Sequence, residues 1–160
     1  NFAALAGVVA AIDYIASIGQ RLEVERSSGH RTPLLSRRYA LERAFAAIEV
    51  YERELLERLI SGLQAIDGVT LYGITDPARF SQRVPTVACT LAGLPATQVA
   101  KALSEQGIFC WDGNYYAVDV CRVLGQSEHG MVRFGILHTT TAEEIDRTLS
   151  AIKRLTQQSA

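Results

Sequence analysis

Residues 131–146 join a strand to a helix within a few positions, and they constrain what this chain can fold into more than any other stretch. Residues 131–136 read as a strand that is apolar apart from Arg133. Thr139, Thr140 and Thr141 follow, and then a helix over 142–156 with Ile145, Leu149, Ile152 and Leu155 on one face. A threonine oxygen can satisfy an orphan N–H at a helix start, and Glu143 and Glu144 suit the positive end of the helix dipole. An arginine between apolar neighbours must either carry its charge out to water or meet an anion. Arg133 is therefore the first candidate binding residue.

The other elements follow from spacing and punctuation. Residues 1–22 read as a helix capped by Asn1, nearly apolar all round until Asp13 and so expected to be buried on most sides. Residues 23–32 are polar and read as an exposed loop in which His30 is a solvated residue. Thr32 as cap and Pro33 at the first helical position open a long helix over 33–66. Leu41, Phe45, Ile48, Tyr51 or Glu52, Leu55, Leu56, Leu59 and Leu63 recur at helical spacing, and Glu49–Arg53 and Glu54–Arg58 stand four apart on a solvated face. A helix of this length is expected to bridge two bodies. Strands follow at 69–73, 83–91 and 108–111, with a short helix over 98–105 capped by Thr97. The order predicts an α+β fold: a two-layer sandwich with a small, mainly antiparallel sheet covered by helices, plus a long N-terminal helical extension.

Charge and cysteine usage narrow the function classes. Lys+Arg number 16 against Asp+Glu 17, a net charge of −1 that offers no electrostatic footprint for nucleic acid. Cys89, Cys110 and Cys121 are odd in number and form no CxxC, so they read as free thiols of an intracellular protein, not as a disulfide frame or zinc site. The longest apolar run, 2–12, is shorter than a bilayer span and lacks a signal peptide's basic flank, so no membrane partner is expected.

A second candidate site is the turn at Asp112-Gly113 with Asn114, Tyr115 and Tyr116 behind it, because loops at strand ends commonly carry function. Plain packing with wet hydroxyls is the competing reading for the two tyrosines. His138 falls on the face opposite Arg133 if the strand runs regularly that far, and reads as a structural residue.

From Asn1 to about Leu155 the sequence resembles the C-terminal part of class V aminotransferase-like enzymes, in the branch of cysteine desulfurases and selenocysteine lyases. The resemblance is carried by 69–73, by the frame Gly113 and Ala117, and by the Arg133 strand with Thr141, Ala142, Glu143, Glu144, Ile145 and Asp146. It implies a large domain holding pyridoxal phosphate, this smaller C-terminal domain, and a cytoplasmic homodimer with its active site at the subunit boundary. It also implies a small amino-acid substrate whose carboxylate is gripped by Arg133. Residues 1–32 then correspond to a helix and loop ending the large domain, and 33–160 to the small domain with its linking helix. The family's Gly-Thr pair, which reaches the cofactor phosphate of the neighbouring subunit, has no counterpart here. Nor does its Schiff-base lysine, since Lys101 and Lys153 are the only lysines and neither sits in the strand-and-turn setting the family uses. The chain opens at Asn1 in a helix start without an initiator Met, so it is expected to be a portion of a longer enzyme. No catalytic, cofactor-binding or metal-ligating residue is assigned within it, and alone it is expected to be inactive. At 112–117 the chain departs from the desulfurases. Where they carry two histidines and a cysteine between the glycine and the alanine, Asn114, Tyr115 and Tyr116 stand here, and Trp111 replaces an arginine. A persulfide carried on this loop is therefore not expected. The other reading left open is a stand-alone small-anion-binding or dimerisation module, with Arg133 and the 112–117 loop forming its pocket.

Overall fold

In the computed structural model, which describes residues 1–26 and 34–158, Asn1 opens the helix α1 (Phe2–Arg26) by accepting the Ala4 N–H on Oδ1 at 3.3 Å. The burial expected of α1 is not found. Phe2, Leu5, Val8 and Val9 are exposed, and the buried residues of the helix are Gly19 and Glu23. The face that meets protein is set by size instead of hydrophobicity. A Cβ on Gly19 would lie 1.9 Å from the Ala40 carbonyl oxygen, so only glycine allows this approach, and Ala40 and Ala44 opposite are small and buried. Glu23 closes the contact, accepting from Arg26 Nε at 3.1 Å and lying 3.5 Å from the Arg43 guanidinium. By length and composition α1 is long and apolar enough to cross a bilayer, which the run 2–12 did not suggest, because the helix continues through Arg26.

The second helix, α2 (Arg37–Gln64), starts later than Pro33. Ser36 caps it, its hydroxyl oxygen accepting the Tyr39 N–H at 3.3 Å and its carbonyl the Ala40 N–H at 2.9 Å. His30, Thr32 and Pro33 lie outside the described residues. Phe45, expected on the buried face, is exposed, since Ala40 and Ala44 already occupy the close side. Two compact units, Asn1–Tyr51 and Glu52–Ala160, divide inside this helix.

Within the second unit, β1 (Val69–Tyr72), β2 (Thr86–Leu91), β3 (Trp111–Gly113) and β4 (Met131–Gly135) form one antiparallel sheet in the order β1-β2-β4-β3. One face is covered by the C-terminal half of α2, by α3 (Ala96–Ser104) and by α5 (Ala142–Gln158). Leu59, Leu63, Val99, Leu103 and Ile152 share a single core with Val87, Cys89, Val132 and Phe134 of the sheet. Burial of each leucine-sized side chain contributes roughly 1.5–3 kcal/mol. This is the α+β architecture with a small antiparallel sheet that the sequence pattern predicts. A short helix, α4 (Val118–Val123), lies between β3 and β4.

Several boundaries move for identifiable reasons. β2 begins at Thr86 because Pro85 has no N–H to donate to a ladder. β3 begins at Trp111, not at 108, because the Ile108 N–H is held by the Leu103 carbonyl at the end of α3. Thr97 does not cap α3. Pro95 stands at the cap, and the Thr97 hydroxyl hydrogen-bonds to Asp112 Oδ2 at 3.0 Å. A 3-10 turn, Pro77–Gln82, opened by Asp76, occupies what reads as plain loop. Arg58 reaches across to Asp146 with two hydrogen bonds of 2.6 and 2.7 Å, where the sequence pairs it with Glu54. The capping box of α5 forms as its residues suggest: the Thr141 N–H donates to Glu144 Oε2 at 2.8 Å, and the Glu144 N–H to Thr141 Oγ1 at 3.2 Å.

Candidate functional site

The alternation of β4 decides where Arg133 points. Val132 and Phe134 are buried on the helix-covered face, so Arg133 between them emerges on the other. The register extends this into a row, with Arg133 directly opposite Ala88 of β2 on one side and Trp111 of β3 on the other. Thr86, Phe109, Cys110, Trp111, Arg133 and Gly135 line one open concavity on this part of the sheet. Arg133 is half-buried there.

Aromatic rings surround the guanidinium. Its carbon lies 4.6 Å from the centre of the Tyr115 ring and 5.9 Å from that of Trp111, both within cation–π range. Among the described residues no carboxylate pairs with Arg133, whereas Arg26, Arg37, Arg38, Arg43, Arg58 and Arg122 each meet one. An aromatic bed leaves the forked in-plane donors of a guanidinium uncovered, a geometry able to meet an anion.

The 112–117 loop brings Tyr115 to that place. Tyr115 and Tyr116 both adopt the left-handed region, with φ of 53° and 62°. For residues with a Cβ this costs about 1–2 kcal/mol each. The surrounding contacts hold it: the Tyr116 N–H donates to Asn114 Oδ1 at 3.0 Å, the Ala117 N–H to the Asn114 carbonyl at 2.7 Å, and the Tyr115 hydroxyl to the Met131 carbonyl. Burial pushes the Tyr115 phenol above its ordinary pKa, so it stays protonated and remains a donor. The loop is also pinned from behind. Gly130 has φ of 64°, and a Cβ there would lie 2.7 Å from the Gly113 Cα.

The candidate residues therefore divide. Arg133 and Tyr115 come together. Asn114 serves the loop backbone, and Tyr116 is 97 % exposed, its ring in solvent. Trp111, 60 % exposed, joins the site through its register with Arg133. Its role is missed by a reading that begins β3 at 108. The three thiols are free. Cys89 is buried in the core and Cys110 packs partly buried against it, and burial raises the two thiols to about 12 and about 11. Cys121 is buried, with its Sγ 3.9 Å from the Asn114 carbonyl. His138 does not lie on the strand at all: β4 ends at Gly135 and a turn closed by Thr140 on Leu137 follows, so His138 has no strand face opposite Arg133. Its partner is Glu52, whose pKa is raised by burial and partly restored by the His138 charge and a backbone hydrogen bond from His138. Among the described residues no group of His, Cys, Asp and Glu could hold a metal ion.

The family model for aminotransferase class-V matches residues 35–148, more than two thirds of the chain. The chain is 34 % identical over 110 residues to the aminotransferase-like protein FGM3 of Gibberella zeae, covering 67 % of this chain and 27 % of that protein. It is 27 % identical over 108 residues to the Mycobacterium leprae protein named "Probable cysteine desulfurase 2", covering 68 % and 25 %. Among solved structures, the apo cysteine desulfurase from Thermococcus onnurineus NA1 superposes with a TM-score of 0.68 at 25 % identity, over 76 % of this chain and 29 % of that one. The cysteine desulfurase CsdA from Escherichia coli shares the fold with a TM-score of 0.60 at 19 % identity, over 81 % and 32 %. The chain thus spans about a quarter of the length of these curated relatives.

Proposed function

Because this chain belongs to the class-V aminotransferase family, we propose that it is the C-terminal small domain of a pyridoxal-phosphate enzyme of the cysteine desulfurase-like group, acting on a small amino acid. In this reading 1–32 end the cofactor-binding domain, and the whole protein is a cytoplasmic homodimer. The observation that carries it is Arg133, a half-buried guanidinium on the open face of the sheet, bedded on Tyr115 and Trp111 and without a carboxylate partner among the described residues. That arrangement suits the carboxylate of an amino acid, which can take two parallel N–H donors at once.

The cofactor itself does not fit the residues present. Covalent attachment needs a lysine facing the site, and Lys101 on α3 and Lys153 on α5 are both exposed on helices. The part of the enzyme assigned to this chain is therefore recognition of the substrate carboxylate, with cofactor attachment left to the rest of the protein.

The test measures binding of L-cysteine, L-alanine and L-serine to the full-length enzyme by calorimetry, beside Arg133→Lys and Arg133→Ala. A charge-assisted contact contributes about 1.5–3 kcal/mol, so Arg133→Ala is expected to weaken binding about ten- to a hundredfold. Arg133→Lys is expected to recover little of it, since an ammonium lacks the fork. Affinity unchanged in Arg133→Ala, or no binding of any of the three amino acids, overturns the reading.

A further inference from the structure

We infer that Tyr115 is a positioning residue for Arg133, fixing the guanidinium in the orientation in which it meets a carboxylate. This rests on the reading of Arg133 as the carboxylate-binding residue. An arginine leaving the middle of a strand has a long side chain with many rotamers, and a bidentate grip needs one of them. An ion pair commonly supplies that restraint, and among the described residues Arg133 has none. What it has is the Tyr115 ring at 4.6 Å, closer than Trp111 at 5.9 Å.

The ring is itself anchored to the strand that bears the arginine. The Tyr115 hydroxyl donates to the carbonyl of Met131, two positions before Arg133 on β4. Ring and guanidinium are thus referenced to the same backbone, and movement of the 112–117 loop cannot separate them without breaking that bond. The positive φ of Tyr115 has a use in this light, because it is the conformation in which the loop delivers the ring and hydroxyl together. Burial keeps the phenol protonated, so the anchor persists through the physiological pH range. An aromatic bed also restrains a guanidinium without occupying its in-plane N–H donors, which a carboxylate partner would consume.

The experiment combines two measurements on the full-length enzyme. Side-chain NMR relaxation of the Arg133 Nε–H, assigned by its disappearance in Arg133→Lys, reports the order of the guanidinium. Calorimetry with L-cysteine reports affinity. Tyr115→Leu is expected to lower Arg133 order and to weaken L-cysteine binding about three- to thirtyfold. Tyr115→Phe keeps the ring and loses the anchor, and should fall between. In an Arg133→Ala background Tyr115→Leu should change affinity no further, because a residue acting through Arg133 has nothing left to act on. Wild-type order and affinity in Tyr115→Leu, with Arg133→Ala still weakened, overturn the positioning role and leave the Arg133 reading standing. Affinity unchanged in Arg133→Ala overturns that reading and this inference with it. Should Tyr115→Leu not fold, Tyr115→Phe decides, and unchanged Arg133 order there overturns the proposal.

Discussion

Cys110 stands two residues before the 112–117 loop, and its surroundings work against it as a carrier of sulfur. Burial and the nearby Asp112 charge raise it to about 11, and burial raises Cys89 to about 12. The thiolate is the reactive form, and near pH 7.5 it makes up well under about one part in a thousand of such groups. Iodoacetamide at pH 7.5 should therefore leave Cys89 and Cys110 unmodified in the folded protein and label them in urea, as mass spectrometry would show. Rapid labelling of Cys110 before unfolding would mean that it is available to carry sulfur. Tyr116 shows how such a residue could be judged in advance, because a phenol where the resemblance places the desulfurases' cysteine is visible in the sequence alone. The bed beneath Arg133 was not legible. Tyr115 reaches it through a left-handed backbone and a hydroxyl bond to Met131, and neither leaves a periodic trace.

Among the elements, α1 shows how hydrophobicity can mislead. A helix apolar all round reads as core, yet its contact with α2 is chosen by the small residues Gly19, Ala40 and Ala44 and by the charge on Glu23. The hydrogen bond from Arg26, opposed by burial and aided by the charges of Arg26 and Arg43, holds the Glu23 carboxyl below its ordinary pKa of about 4.5. A depressed acid pKa means that the unfolded chain binds the extra proton. The stabilisation is thus complete above about pH 4.5 and is lost as pH falls through the lower folded value. Acid titration followed by circular dichroism should show wild type losing helix in that window, and Glu23→Gln, less stable at neutral pH, losing correspondingly less there. Parallel acid curves would remove Glu23 from the account. By contrast the start of α5 was legible to the residue. Thr141 and Glu144 stand three apart, and the reciprocal capping bonds follow directly from that spacing.

At the scale of the molecule, the class of fold was readable because the order of strands and helices leaves few ways to cover a small sheet. The sheet order was not, since β4 inserts between β2 and β3 through pairings that no local pattern announces. Arg133 owes its place to that insertion, which sets Ala88 and Trp111 on either side of it. The molecule also holds no lysine turned toward the site. Mixed with pyridoxal phosphate and then gel-filtered, the chain alone should retain no stoichiometric absorbance from an aldehyde–lysine adduct. Retention on Lys101 or Lys153 would contradict the assignment of cofactor attachment to the rest of the enzyme. One further property follows from the ring beside Arg133. Trp111 is the chain's only tryptophan, so nearly all of its red-edge ultraviolet emission arises from a ring centred 5.9 Å from the guanidinium carbon. If Arg133 takes a carboxylate as proposed, the electric field across that indole changes, and the fluorescence of the unlabelled chain becomes an optical gauge of the site, with no dye attached.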